Sequence, residues 1–122
     1  MYRTSFTLQA WIYPTAFAWT FGGSPDNSLF GQCQSTTPSR CLHIILRNQR
    51  IYFGFYSDDL QGSVVFQANR WYHVTYAYDQ SLRRQYTYVN GVTDGSRTSN
   101  PYDGQAGNFT SERTRFFRQH LR

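Results

Sequence analysis

Residues 70–92 leave the chain few folding choices. From residue 71 to 79 the side chains alternate strictly. On a strand, Tyr72, Val74, Tyr76 and Tyr78 fall on one face, and Trp71, His73, Thr75, Ala77 and Asp79 on the other. Trp, Tyr, Val and Thr suit a pleated, half-buried surface. A loop of residues 80–84 reverses the chain, and Gln85-Tyr86-Thr87-Tyr88-Val89 returns. Asn90-Gly91 then closes a second reversal into Val92. A two-residue hairpin turn needs positive φ at both central positions, which Asn and Gly accept. Such a sheet has a face to cover, so the remaining chain must supply a second sheet.

It carries the strands to do so. Residues 6–13 alternate, with Phe6, Leu8, Ala10 and Ile12 on one face, and Pro14 ends the run. Residues 29–33 and 41–47 read as strands. Asn48-Gln49 makes a turn into residues 50–56, where Ile51, Phe53 and Phe55 share a face. Residues 57–62 read as a polar loop and residues 63–66 as the start of another strand. Past Gly91 a strand runs towards Arg97, residues 100–107 read as loop, and residues 108–110 open one more strand. About eight short strands joined by Gly, Pro, Asn and Ser loops, with no capped helical stripe, predict an all-β fold, a sandwich or jelly roll. A chain of 122 residues makes one domain with a two-layer core, and its 19% aromatic content supplies the bulk. Phe17, Trp19 and Phe21 in the loop of residues 15–27 either plug the core or line a cleft; plugging is the more ordinary use. Packing is likewise the ordinary use of Tyr72, Tyr76, Tyr78, Tyr86 and Tyr88.

The formal charge is +5, carried by twelve Arg and no Lys. Arg113, Arg115, Arg118 and Arg122 lie in the last ten residues, which hold no acid, so the basicity reads as a tail and not as the stripe a nucleic acid would want. No nucleic-acid partner is expected. No run is long enough to span a membrane, and no basic segment followed by an apolar stretch marks a signal peptide. Cys33 and Cys41 bracket a polar loop. A disulfide across its mouth, in an oxidising compartment, is the first reading, and two buried thiols the second. Two more ligands at zinc spacing are missing. Asn108-Phe109-Thr110 is the one N-glycosylation acceptor, although a buried strand position would stay unmodified.

Read in order, "FTLQAWIYP", "CLHIILRNQRIYFGFYSDDLQG", "NRWYHVTYAYD" and "YTYVNGVTDGS" resemble the LamG-like jelly-roll domains of the concanavalin A-like lectin/glucanase superfamily. The resemblance covers residues 5 to 110 or so. It implies a two-sheet antiparallel jelly-roll sandwich, an extracellular setting within a longer multidomain chain, binding of carbohydrate or protein, and in some members calcium. The chain departs from the family at its end, where a strand of the type "G-x-I-D-E-V-R-I-Y" is replaced by residues 111–122. The expected organisation is therefore a LamG-like domain over residues 1–110 and an aberrant basic tail over 111–122. The sandwich would be incomplete at its C-terminal end unless another chain or the tail fills the gap.

Catalysis is not expected. Glycosidases need two carboxylates flanking the scissile bond; the lone Glu112 lies in the tail, and Asp58 and Asp59 are adjacent, so on a strand they diverge. The histidines have no nucleophile motif beside them. Binding fits better, with a glycan or an extracellular protein as partner. Tyr56, Asp58, Asp59 and Gln61 on one loop, and Trp19 and Asp26 on another, offer the mix of aromatic faces, carboxylates and amides that holds a sugar. The alternative is that the two acids are turn residues bonding their own backbone. Family analogy adds calcium at Asp58 and Asp59, with no cofactor required otherwise. The other function class to weigh is a structural or ancillary domain of a larger enzyme or adhesion protein, without a ligand of its own.

Overall fold

In the computed structural model, residues 4–17, 26–32, 40–102, 110–111 and 117–121 are described, the side chains over 4–17, 29–32 and 40–102. Ten strands run through these residues, with no helix among them. They are β1 (Phe6–Pro14), β2 (Asp26–Gln32), β3 (Leu42–Arg47), β4 (Arg50–Gly54), β5 (Asp59–Gln61), β6 (Tyr72–Asp79), β7 (Arg84–Val89), β8 (Val92–Thr98), β9 (Thr110–Ser111) and β10 (Phe117–Leu121). They form two antiparallel five-stranded sheets. The first has the order β10-β1-β6-β7-β8 and the second β5-β4-β3-β2-β9. Both sheets are open, as in a jelly-roll sandwich.

The alternation at residues 72–79 is kept in three dimensions. Tyr72, Val74, Tyr76 and Tyr78 are buried, and the residues between them are half-exposed. They lie beside Phe6, Leu8, Ala10 and Ile12 of β1 on the inner face of the first sheet, and meet Leu42, Ile44, Leu46, Ile51 and Phe53 from the second. Edge-on ring contacts cross the interface, as between Phe53 and Tyr76 at 6.0 Å and between Phe6 and Phe53 at 6.2 Å. Such pairs add to plain area burial. The Asn90-Gly91 turn has φ of 52° and 78°, and Asn48-Gln49 has 51° and 60°, the positive values both hairpins require. Tyr86 and Tyr88 depart from the packing expectation. Both lie on the outer face of β7, half-exposed, with rings 6.5 Å apart and 15° from parallel.

Three sequence-based boundaries move. Residues 63–66 form no strand. The Ser63 and Val64 N–H groups are taken at 2.9 and 2.7 Å by Oδ1 of Asp94, a buried carboxylate, in place of a ladder. Asp94 is the extra residue where the β7–β8 register shifts, and that bulge turns it inward towards the Thr87 hydroxyl, which donates to its Oδ2 at 3.2 Å. Conversely, part of the expected polar loop of residues 57–62 is strand β5, paired with Tyr52–Gly54. The tail divides differently too. Phe117–Leu121 pairs with Ala10–Pro14 of β1, so the tail itself occupies the edge beside β1, and β9 crosses the expected 110/111 boundary. Phe17 packs half-buried against the core, in line with a plugging loop. Trp19, Phe21, Cys33 and Asn108 lie outside the described residues.

Candidate functional site

Strand β3 turns Leu42, Ile44 and Leu46 into the core, so His43, Ile45 and Arg47 face outward from the second sheet. The register aligns His43 with Gly54 on β4, and Gly54 with Asp59 on β5. His43 and Asp59 are therefore two strands apart, about 9–10 Å between backbones. Ordinarily a middle side chain would separate them. Here the middle residue is glycine, and the two side chains meet over it, His43 Nε2 to Asp59 Oδ1 at 3.4 Å. A Cβ on Gly54 would collide with the Asp59 carboxylate and stand 2.5 Å from His43 Nε2.

The chain leaves β4 through a tight turn, Phe55–Asp58, whose Phe55 N–H donates to the Asp58 carbonyl at 3.2 Å. Both central residues have positive φ, Tyr56 at 65° and Ser57 at 55°. Neither is Gly, Asn or Asp, and a bulky side chain in this region is a genuine outlier. The turn brings the exposed Tyr56 ring to the rim of a groove of about 430 Å³, lined also by His43, Ile45, Arg47, Ser57 and Asp59, with Cys41 at one end. Arg47 also lies over the Tyr52 ring, 4.7 Å from its centroid.

Burial works to raise the Asp59 carboxyl. The hydrogen bond and charge of His43, the Asp58 N–H and the charge of Arg47 outweigh it and hold the group below its ordinary value of 3.8. A folded value below the unfolded one adds stability that is present above pH 3.8 and is lost as pH falls through the lower folded value. Asp59→Asn is accordingly expected to narrow the stability gap between neutral pH and pH 3, measured by urea unfolding at both; an unchanged gap would show that the His43 contact does not hold in solution.

Asp58 does something else. Only 3% exposed, it accepts from Arg97 Nη1 at 2.9 Å and from the Asn100 N–H at 2.9 Å, tying the turn to the far sheet across the sandwich edge. The Gln85 amide reaches its carbonyl at 3.0 Å. The Asp58 carboxylate therefore points into the protein and not into the groove. The pair also fails to fit calcium. The two carboxylates diverge, one bonded to Arg97 and one to His43, and among the described residues no group of three metal-binding side chains converges. Gln61 is exposed one row away, on the strand pairing that sets it beside Tyr52. Asp26 pairs in register with Arg47 on the neighbouring strand. Of the expected residues, the groove therefore gathers Tyr56 and Asp59. His43 and Arg47 were missed, although their i, i+4 spacing in "CLHIILR" places them on one face of a strand.

Two open antiparallel sheets packed face to face make a jelly-roll sandwich, and the comparison with known families agrees. The chain belongs to the concanavalin A-like lectin/glucanases superfamily, whose laminin G-type family model matches residues 1–115. No curated protein matches it. Among solved structures it is similar to a candidate carbohydrate binding protein from Bacteroides ovatus, with a TM-score of 0.63 and 19% identity over 80% of this chain and 27% of that one. It is also similar to the native heptameric SAP-like pentraxin from Limulus polyphemus, with a TM-score of 0.52 and 15% identity over 80% of this chain and 44% of that one. The chain thus spans less than half of either protein, and at these identities the likeness is one of fold.

Proposed function

We propose that this domain is a non-catalytic extracellular recognition module that binds carbohydrate in the groove over Gly54. The observation that carries the reading is the Tyr56 ring. It is held at the groove rim in a backbone conformation that costs free energy, next to a His–Asp pair and an arginine. Strain of this kind persists where surrounding structure enforces it, and it clusters at binding sites. A ring face for sugar C–H groups, with His43, Asp59 and Arg47 for hydroxyls, is the chemistry a saccharide takes. The superfamily and the Bacteroides ovatus neighbour support a binding module. Catalysis by paired carboxylates finds one acid, Asp59, among the described groove residues.

An extracellular setting gives the cysteines a role. Cys41 is buried at the groove end, and among the described residues no cysteine is free. Pairing with Cys33 closes the loop that leads into β3 and steadies His43; intact mass before and after reduction measures it. The module acts as one part of a longer chain.

The test is a glycan array probed with the wild-type protein and with Tyr56→Ala, each with and without EDTA. Binding to a subset of glycans, lost with Tyr56→Ala and unchanged by EDTA, is the expected result. If every hit survives Tyr56→Ala undiminished, the groove is removed as a site. Tyr56→Gly should separate the ring from the strain. It is expected to raise stability by about 0.5–1 kcal/mol by relieving the left-handed conformation, while glycan binding is lost. Thermal unfolding and the same array read the two effects.

A further inference from the structure

The opposite face of the sandwich carries a second groove of about 590 Å³, larger than the first. It lies on the outer surface of the first sheet, over the row Thr7–Ala77–Tyr86, which the register aligns across β1, β6 and β7. Ala77 makes the dent, because it is the small middle residue of the row, as Gly54 is on the other sheet. Here no flanking pair fills the gap. Ser5, Thr7, Asp79, Tyr86 and Tyr88 stand around it.

Each wall residue has bonding capacity left. Asp79 Oδ1 accepts from the Ser81 hydroxyl at 2.7 Å and from the Leu82 N–H at 3.0 Å, while Oδ2 has no partner among the described residues. The Ser81 and Leu82 bonds hold this carboxyl below its ordinary value, so it is an anionic acceptor at neutral pH. Ser5 Oγ accepts from the Gln80 N–H at 2.9 Å and keeps its own proton to donate. Arg84 lies 5.9 Å over Tyr86, behind the Tyr86–Tyr88 stack. No large aliphatic side chain lines the groove, which argues against an apolar peptide. Rings, hydroxyls and one carboxylate are the complement of a neutral sugar.

The face continues past the groove. The next register row is Gln9–Thr75–Tyr88, and the one after it sets Trp11 beside His73, with ring centroids 5.0 Å apart. Tyr13 and Trp71 then meet at 5.3 Å, and Trp71 is 53% exposed. An exposed Trp supported by a neighbouring ring is a ready stacking platform. Groove and platform are six residues apart along β1, from Thr7 to Tyr13, about 20 Å, so an extended chain can engage both.

We infer that the outer face of the first sheet is a second carbohydrate site, taking a segment of a neutral polysaccharide from the Ala77 groove to the Trp71–Tyr13 platform. Together with the groove of the proposed function, it would place sugar on two opposed faces and let the domain bridge polysaccharide chains. The inference does not need the groove over Gly54 to be a site.

Affinity electrophoresis tests it, with gels containing a β-glucan, a xylan, a galactomannan or a galactan. Wild type, Tyr56→Ala, Ala77→Arg and the double variant are compared, with Tyr88→Ala as a second probe of the groove and near-UV circular dichroism as the check on folding. On at least one polysaccharide, binding should survive Tyr56→Ala and fall by about tenfold or more when Ala77→Arg or Tyr88→Ala is added. Loss with Ala77→Arg alone supports this site and removes the one over Gly54. Loss with Tyr56→Ala alone does the reverse. Wild-type binding to none of the four overturns the inference, as does a double variant that binds like Tyr56→Ala.

Discussion

Phe55→Ala is expected to lower the unfolding free energy by about 3–5 kcal/mol. That is a large part of the roughly 5–15 kcal/mol available to a domain of ordinary stability. Phe55 is fully buried and stacks face to face on Tyr102, with centroids 4.3 Å apart and planes 15° from parallel. It meets Tyr78 at 5.0 Å and Phe53 at 5.5 Å edge-on. It is also the first residue of the turn that carries Tyr56, so the core contact that stabilises the fold also holds that turn in its unfavourable conformation. The damage should reach the groove, with sugar binding weakened even in the fraction that stays folded. Phe55→Leu keeps most of the volume and should cost about 1 kcal/mol. Urea unfolding of both variants provides the measurement. A cost below 1 kcal/mol for Phe55→Ala would mean that the turn is not anchored through this ring.

Arg97→Met is expected to cost about 3 kcal/mol. The reason is an asymmetry of exposure. The Arg97 side chain is 37% exposed and the Asp58 side chain 3%. Removing Arg97 leaves a buried carboxylate without its cation, whereas removing the charge of Asp58 leaves an arginine that can turn to water. Asp58→Asn should therefore cost less, since its remaining carbonyl can still accept from the Asn100 N–H. Adding Asp58→Asn to Arg97→Met should recover most of the loss. A double-mutant cycle in urea reads the pattern. Equal costs for the two single variants would show that the pair is solvated, contrary to its burial.

What the sequence made legible was whatever depends on alternation and turn chemistry. The β6–β7–β8 meander, the Asn48-Gln49 and Asn90-Gly91 turns and the inward faces of β1, β4 and β6 were all readable, because period two and positive φ are local properties. The groove was half readable. Tyr56 and Asp59 drew attention by residue type, but His43 becomes their neighbour only through the register of β3 on β4 and β4 on β5. Strand β5 itself, three residues of Asp-Leu-Gln, looks like loop. Asp58 misled because two adjacent acids in a turn look like a pair, and only the packing partner Arg97, 39 residues away, separates them. The Ser63-Val64-Val65-Phe66 run was mistaken for a strand because its composition cannot show that a carboxylate from β8 has already claimed two of its N–H groups. Strand β10 escaped for a different reason. A ladder is made by backbone groups, so a segment unlike the family's closing strand can still occupy that edge.

That edge strand has a mechanical consequence. β10 runs antiparallel to β1, with Leu121 opposite Ala10 and Phe117 opposite Pro14. Tension between Phe6 and Leu121 would thus pull both strands from the same end of their shared ladder. The hydrogen bonds would be loaded one after another and not all together in shear. Under load in a longer chain, this domain would yield first by unzipping β10, at low force, while the sheet-to-sheet core stayed closed behind it.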